Sequence, residues 1–108
     1  MLNQSIIVGR LVHNPELHET DNGHKVTSVL LAVPRNYKNA EGEYETDFIK
    51  CVLWRGVAER TTEYCKKGDL IGVRGRLQSR EVEQEDESIK SVVELIGEKV
   101  TFLQSQKS

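Results

Sequence analysis

The sequence predicts an all-β domain, a small closed barrel of five strands that carries one short helix. Three observations lead there. Five stretches of strand length alternate or concentrate apolar residues, and turn-forming residues separate them. One segment alone, Gly56 to Lys67, places its apolar residues at helical spacing. Glycines at 9, 72 and 75 stand inside strand patterns, where the tilted strands of a small barrel must bend.

The first strand spans Ser5 to Val12, and after Pro15 the segment Glu16 to Thr20 continues it at an angle. Asp21-Asn22-Gly23 then signals a hairpin, because Asn-Gly suits a type I′ turn. The second strand, Lys25 to Val33, sets Val29, Leu31 and Val33 on one side. A polar loop follows from Pro34 to Glu45. The third strand, Thr46 to Arg55, is the most informative. One face carries Ile49, Cys51 and Leu53, enough to bury a side; the other carries Phe48, Lys50, Val52 and Trp54, with Arg55 beyond. Gly56 to Lys67 reads as the helix. Val57, Thr61 and Tyr64/Cys65 share its inner face, Lys66 and Lys67 complement its C-terminus, and Gly68 takes the C′ position. The fourth strand, Leu70 to Val82, turns Ile71, Val73, Gly75 and Leu77 to the core and Arg74, Arg76, Gln78, Arg80 and Val82 outward. After an acidic loop the last strand covers Ile89 to Leu103, interrupted near Gly97-Glu98.

Five strands with a helix between the third and fourth describe the OB-fold, a Greek-key barrel. Its strand-2/strand-3 face and connecting loops bind oligonucleotides or oligosaccharides. Rings interleaved with cations, as in Phe48-Lys50-Trp54-Arg55, stack bases and hold phosphates. The competing reading of that strand buries both faces, with Phe48 and Trp54 in the core. Likewise the Arg74/Arg76/Arg80 stripe is either a phosphate track or a solvated face that blunts aggregation.

Composition narrows the class further. The 108 residues fit one domain, 1–104, with a short polar end at 105–108. The net charge is −2, but residues 1–80 hold 12 Lys/Arg against 10 Asp/Glu, while 81–108 hold 3 against 7. A locally basic surface can coexist with an acidic total. Cys51 and Cys65 are isolated, as expected of free thiols in a reducing compartment. Lys66 and Lys67 beside Cys65 would lower its pKa slightly. There is no apolar run long enough for a membrane span and no secretory leader, so the expected location is the cytoplasm. His13, His18 and His24 have no metal-ligand spacing, and no nucleophile elbow or phosphate loop is present. The expectation is a binding protein, not an enzyme, with no cofactor and no metal.

Several segments together resemble the bacterial single-stranded DNA-binding protein family, in its Gram-positive forms. They are the opening M-L-N-Q-S-I-I-V-G-R-L, Asn14-Pro15-Glu16-Leu17 with Asn22-Gly23, L-A-V-P-R-N-Y-K-N-A-E-G-E, D-F-I-K-C-V-L-W-R, K-K-G-D-L-I-G-V-R-G-R-L-Q-S-R and the closing V-V-E-L…V-T-F-L. The resemblance covers residues 1–103. It implies a homotetramer that binds single-stranded DNA without sequence preference in replication, repair and recombination. It places stacking aromatics at Tyr37, Phe48 and Trp54, and cations at Arg10, Arg35, Lys38, Lys50, Arg55 and Arg80. Arg74 and Arg76 join the site from the arginine stripe. The family also tends to carry a cation at the position of His18.

The chain departs from the family pattern in three places. Val82 stands where the family usually has another stacking aromatic, and Glu83 to Glu87 is unusually acidic. The sequence stops at Gln104-Ser105-Gln106-Lys107-Ser108, where family members continue into a linker and an acidic tip. Recruitment of replication and repair proteins through such a tip is therefore not expected of this chain. An OB module that binds protein, or one that binds RNA, remains the alternative at this point.

Overall fold

The computed structural model describes residues 1–106; positions 107 and 108 of the expected polar end lie outside the described residues. The elements are β1 (Ser5–Leu11), β2 (His18–Glu19), β3 (Lys25–Lys38), β4 (Tyr44–Trp54), α1 (Arg55–Tyr64), β5 (Leu70–Glu83) and β6 (Ile89–Gln104). The sheet runs β1-β5-β6-β4-β3, and a β1–β3 pairing closes it into a barrel. All neighbours are antiparallel except β4 and β6. This is the expected five-stranded OB barrel; β2 is a two-residue outlier on the edge of β3. The segment after Pro15 thus pairs with β3 instead of continuing β1.

The inward face of each strand supplies the core: Leu11, Val29, Leu31, Cys51, Leu53, Ile71, Val73 and Leu95, with Ala58 and Cys65 plugging one end. Three strand glycines are required by close approach, the first being Gly9, whose Cβ would lie 2.7 Å from the Ala32 carbonyl oxygen. A Cβ on Gly75 would sit on the Ile96 carbonyl oxygen, at the bulge where the β5–β6 register shifts. A Cβ on Gly97 would run into Leu53 and Val73. The interruption expected near Gly97-Glu98 is this bulge. Gly72 has only ordinary neighbours, so no close approach requires glycine there.

The two middle strands are longer than their apolar pattern. β3 continues through Pro34 to Lys38 and β4 begins at Tyr44, so the expected 34–45 loop shrinks to 39–43. Backbone pairing carries the ladder beyond the core, where side-chain alternation no longer reports it. β5 and β6 likewise extend past the barrel as an arm. Leu77, expected in the core, is therefore exposed: it lies where β5 leaves the barrel wall.

Three hairpins share one turn. In each, the first residue's N–H donates to the carbonyl four residues on and its carbonyl accepts from the residue three on: Thr20/Gly23/His24, Asn39/Gly42/Glu43 and Gln84/Glu87/Ser88. This is a three-residue loop with one left-handed position. It replaces the type I′ turn expected at Asn22-Gly23, since Gly23 alone has positive φ there. The left-handed positions are Gly23 (φ 82°), Gly42 (φ 78°) and Glu87 (φ 68°).

The helix starts one residue earlier and ends three earlier than expected. Lys66 and Lys67 lie outside it, in a turn closed by Asp69 N–H to the Lys66 carbonyl. Gly68 belongs to that turn (φ 89°), not to a helix cap. Asp69, buried, ties the turn down by accepting from the N–H groups of Lys66 and Gln106. Tyr64 faces solvent; Ala58, Thr61 and Cys65 face the barrel.

Candidate nucleic-acid interface

Strand parity and cross-strand register build one outer surface. In β4 the residues Tyr44, Thr46, Phe48, Lys50, Val52 and Trp54 share a face. Phe48 and Trp54 are 61% and 40% exposed, which rules out the reading that buries both faces of this strand. Opposite them on β3 stand Ala32 and Val26, and opposite Lys50 stands Leu30. Ala32 leaves the Phe48 ring standing clear of its neighbour strand. At a rise of about 3.3 Å per residue, Phe48 and Trp54 are roughly 20 Å apart along the strand. His18 pairs with Val26, so it joins the row of Trp54. A cleft of about 510 Å³, lined by His13, Asn14, Glu16, His18, Val26, Thr27 and Ser28, opens beside that row. A second cleft of about 430 Å³ lies off this face, between α1 and β6.

Tyr37 is exposed near the tip of the β3–β4 arm. Opposite its neighbour Lys38 stands Tyr44, 61% exposed, with the Lys38 ammonium 5.7 Å from the ring centre. Tyr44 falls inside the expected 34–45 loop, so the sequence alone does not single it out. Its parity with Phe48 and Trp54 is the signal that finds it once the strand is known to start there.

The eight cations fall into four groups. Arg35 grips exposed carboxylates: Nη1 lies 2.7 Å from Glu45, while Nε and Nη2 take both oxygens of Asp47. Its hydrogen bond and charge on Asp47 raise the Arg35 pKa further, and the same bond holds Asp47 below its usual range. Lys50 and Arg80 share one carboxylate, Glu94 of β6. Lys50 Nζ is 3.1 Å from its Oε2, and Arg80 Nε donates to its Oε1 at 3.0 Å. Burial pushes the Glu94 carboxyl up, but the hydrogen bonds and charges of Lys50 and Arg80 outweigh it and leave the pKa below 4.5. Arg10 donates to the Gly68 carbonyl at 2.9 Å and so reaches toward the Lys66–Asp69 turn.

Lys38, Arg55, Arg74 and Arg76 have no ion-pair partner among the described residues. Arg55 follows Trp54 directly and has φ 56°, a left-handed turn that bends the chain from strand into helix. The arginine stripe of β5 keeps its common face but not a common setting. Arg74 stands between Ile6 and Lys99, Arg76 faces Ile96, and Arg80 faces Val92 out on the arm. Arg76 is in register with Val52 of β4 through Ile96, and Arg80 is tied to Lys50 of β4 through Glu94, whereas Arg74 pairs with Lys99, beyond the last β6 residue that meets β4.

Neither thiol belongs to this surface. Burial pushes Cys51 up to about 12, and burial with the Asp69 charge raises Cys65. The expected lowering by Lys66 and Lys67 does not occur, because both lysines are exposed while Cys65 is buried beside Asp69. Among the described residues no group of three or more His, Cys, Asp or Glu converges as a metal site. No helix among them is long and apolar enough to cross a membrane.

Residues 2–103 match the family described as the single-strand binding protein family. The chain is 47% identical over 103 residues to single-stranded DNA-binding protein B of Bacillus subtilis, covering 95% of this chain and 91% of that one. It is 45% identical over its whole length to single-stranded DNA-binding protein 3 of Listeria innocua, covering 68% of the relative. Against the single-stranded DNA-binding protein of Bacillus cereus the identity is 48% over 104 residues, covering 61% of the relative.

Proposed function

Since the chain belongs to the single-strand binding protein family, we propose that it coats single-stranded DNA without sequence preference during replication, repair and recombination. The observation that carries this reading is the exposed aromatic row of β4, with cations set between and beside the rings. Bases stack on Tyr37, Phe48 and Trp54, and on Tyr44; each such contact contributes about 1–3 kcal/mol and tolerates any base, because every base has a π-face. Lys38, Lys50, Arg55, Arg76 and Arg80 neutralise phosphates beside this row, with Arg10, Arg35 and Arg74 at its margins. Duplex DNA keeps its bases stacked internally and cannot use the platform. No bond is made or broken, so the activity is binding alone. The protein works in the cytoplasm, wherever replication exposes single strands.

Trp54 is the sole tryptophan, so its fluorescence reports on one named ring. An oligo-dT of about 35 nucleotides should quench it, less so as salt rises and not at all for duplex of the same length. An unchanged signal at micromolar oligo-dT refutes the reading.

The working unit is a homotetramer. Its support is the β1 edge. Ser5 to Gly9 pair with β5 along one side, but only Arg10 and Leu11 pair with β3 on the other. Ile6 and Val8 are exposed there, and no lysine or proline blunts the strand. Two such edges can pair about a two-fold axis, and two such dimers give four subunits. Sedimentation should return four times the 12.3 kDa of the chain; a monomer at micromolar concentration refutes the assembly.

A further inference from the structure

We propose that Glu94 is an internal counter-anion of the DNA-binding face, which keeps Lys50 and Arg80 together and makes the pair present one net positive charge to the DNA backbone instead of two. The inference rests on the single-strand binding reading above.

Glu94 sits on β6 between the strands that carry the two cations, β4 and β5. Its side chain is 8% exposed, and each of its oxygens meets one cation, at 3.1 and 3.0 Å. Lys50 and Arg80 are 44% and 49% exposed, so their outer N–H groups are open to solvent. An ammonium has three donors and a guanidinium five. One from each is spent on Glu94, and the rest can meet a phosphate arriving from outside.

The phosphate cannot take the place of the carboxylate cheaply. Displacing it would leave a buried charge without a partner, which is strongly destabilising. Arg35 differs, because its carboxylates on Glu45 and Asp47 are themselves about half exposed and water can solvate them when a phosphate arrives. The uncharged neighbours across the strands, Leu30 beside Lys50, Gln78 beside Glu94 and Val92 beside Arg80, add no further charge to the trio.

Single-strand binding releases counterions in proportion to the phosphates neutralised, so the salt slope counts the charges that act. The test measures affinity of the whole chain for oligo-dT against salt, for the wild type and for Glu94→Gln. Glutamine keeps the shape and removes the charge. The slope of log K on log salt should steepen by about 0.7 per subunit, equivalent to roughly fivefold tighter binding near 0.1 M salt, with the two proteins converging towards 1 M. Adding Lys50→Gln to Glu94→Gln should return the slope to that of the wild type.

An unchanged or shallower slope, or weaker binding by Glu94→Gln, overturns the proposal. A second measurement needs no variant and decides the matter if Glu94→Gln does not fold. The Arg80 Nε–H resonance should stay in place when wild-type protein binds oligo-dT, since its bond to Glu94 persists. Its loss, or a move to the position of a solvated guanidinium, overturns the proposal. Wild-type protein that fails to bind oligo-dT refutes the binding reading and this inference with it. Binding by the wild type with an unaltered slope in Glu94→Gln refutes this inference alone.

Discussion

Tyr44 and Thr27 show how much a single side chain depends on its strand. Tyr44 continues the parity of Phe48 and Trp54 and lies under the Lys38 ammonium. Tyr44→Ala should weaken oligo-dT binding by about 1–3 kcal/mol while leaving the melting temperature nearly unchanged, since the ring covers no core. Equal affinity in a titration would remove Tyr44 from the platform. Thr27 is the inverse case. It is fully buried opposite Leu53, and its hydroxyl has no hydrogen-bond partner among the described residues. Thr27→Val keeps the shape and removes the stranded group, so stability should rise by about 1 kcal/mol in denaturant unfolding. A loss would mean that the hydroxyl is satisfied after all. Phe48, Lys50 and Trp54 were legible in the sequence because period-two alternation is unbroken over the barrel wall. Tyr44 was not, because nothing in Glu41 to Glu45 alternates, and only backbone pairing extends the strand there. Glu94 was equally hidden, since its meaning comes from two strands distant in sequence.

Among the elements, the hairpins offer a comparison within one chain. The same turn occurs three times, twice with glycine at the left-handed position and once with Glu87. A left-handed non-glycine residue costs about 1–2 kcal/mol, partly offset by the larger unfolded-state entropy of glycine. Glu87→Gly should therefore stabilise the domain by roughly 0.5–1 kcal/mol, readable in the denaturation midpoint. A lower midpoint would show that the Glu87 side chain contributes more than its backbone strain costs. Further along the same arm, Val82 is half-buried and shares the face of Arg80. Val82→Tyr places a ring where the arm lacks one and should tighten oligo-dT binding by about 1–3 kcal/mol. No gain would mean that the strand does not follow the arm. The element order was readable from the sequence, and so was the helix between the third and fourth long strands. Element ends were not: α1 stops at Tyr64 because Cys65 turns inward in extended geometry, which residue type does not announce.

For the whole molecule, acid is the revealing variable. Asp47, Asp86 and Glu94 all have lowered native pKa values: Asp47 through Arg35, Asp86 through Ser88, and Glu94 through Lys50 and Arg80 against its burial. A depressed carboxyl adds stability that is fully present above its ordinary value, here 3.8 or 4.5, and is lost as pH falls through the native value. Asp47 and Asp86 are exposed enough for solvent to screen most of their share. The melting temperature should stay level from neutrality to about pH 4.5 and then drop, with Glu94→Gln removing most of the drop. An identical drop in Glu94→Gln would assign it to other carboxylates.

The two arms, one carrying Tyr37 and Tyr44 and the other Arg80, leave the barrel behind. Beyond Pro34 on β3 and beyond Ser79 on β5, each strand has only its hairpin partner, and the side chains there cover no core. Barrel and arms therefore keep different clocks. Amide protons on Leu31, Leu53, Ile71 and Leu95 should exchange only when the entire domain unfolds, whereas those near Asn39 and Gln84 should exchange whenever a tip unzips.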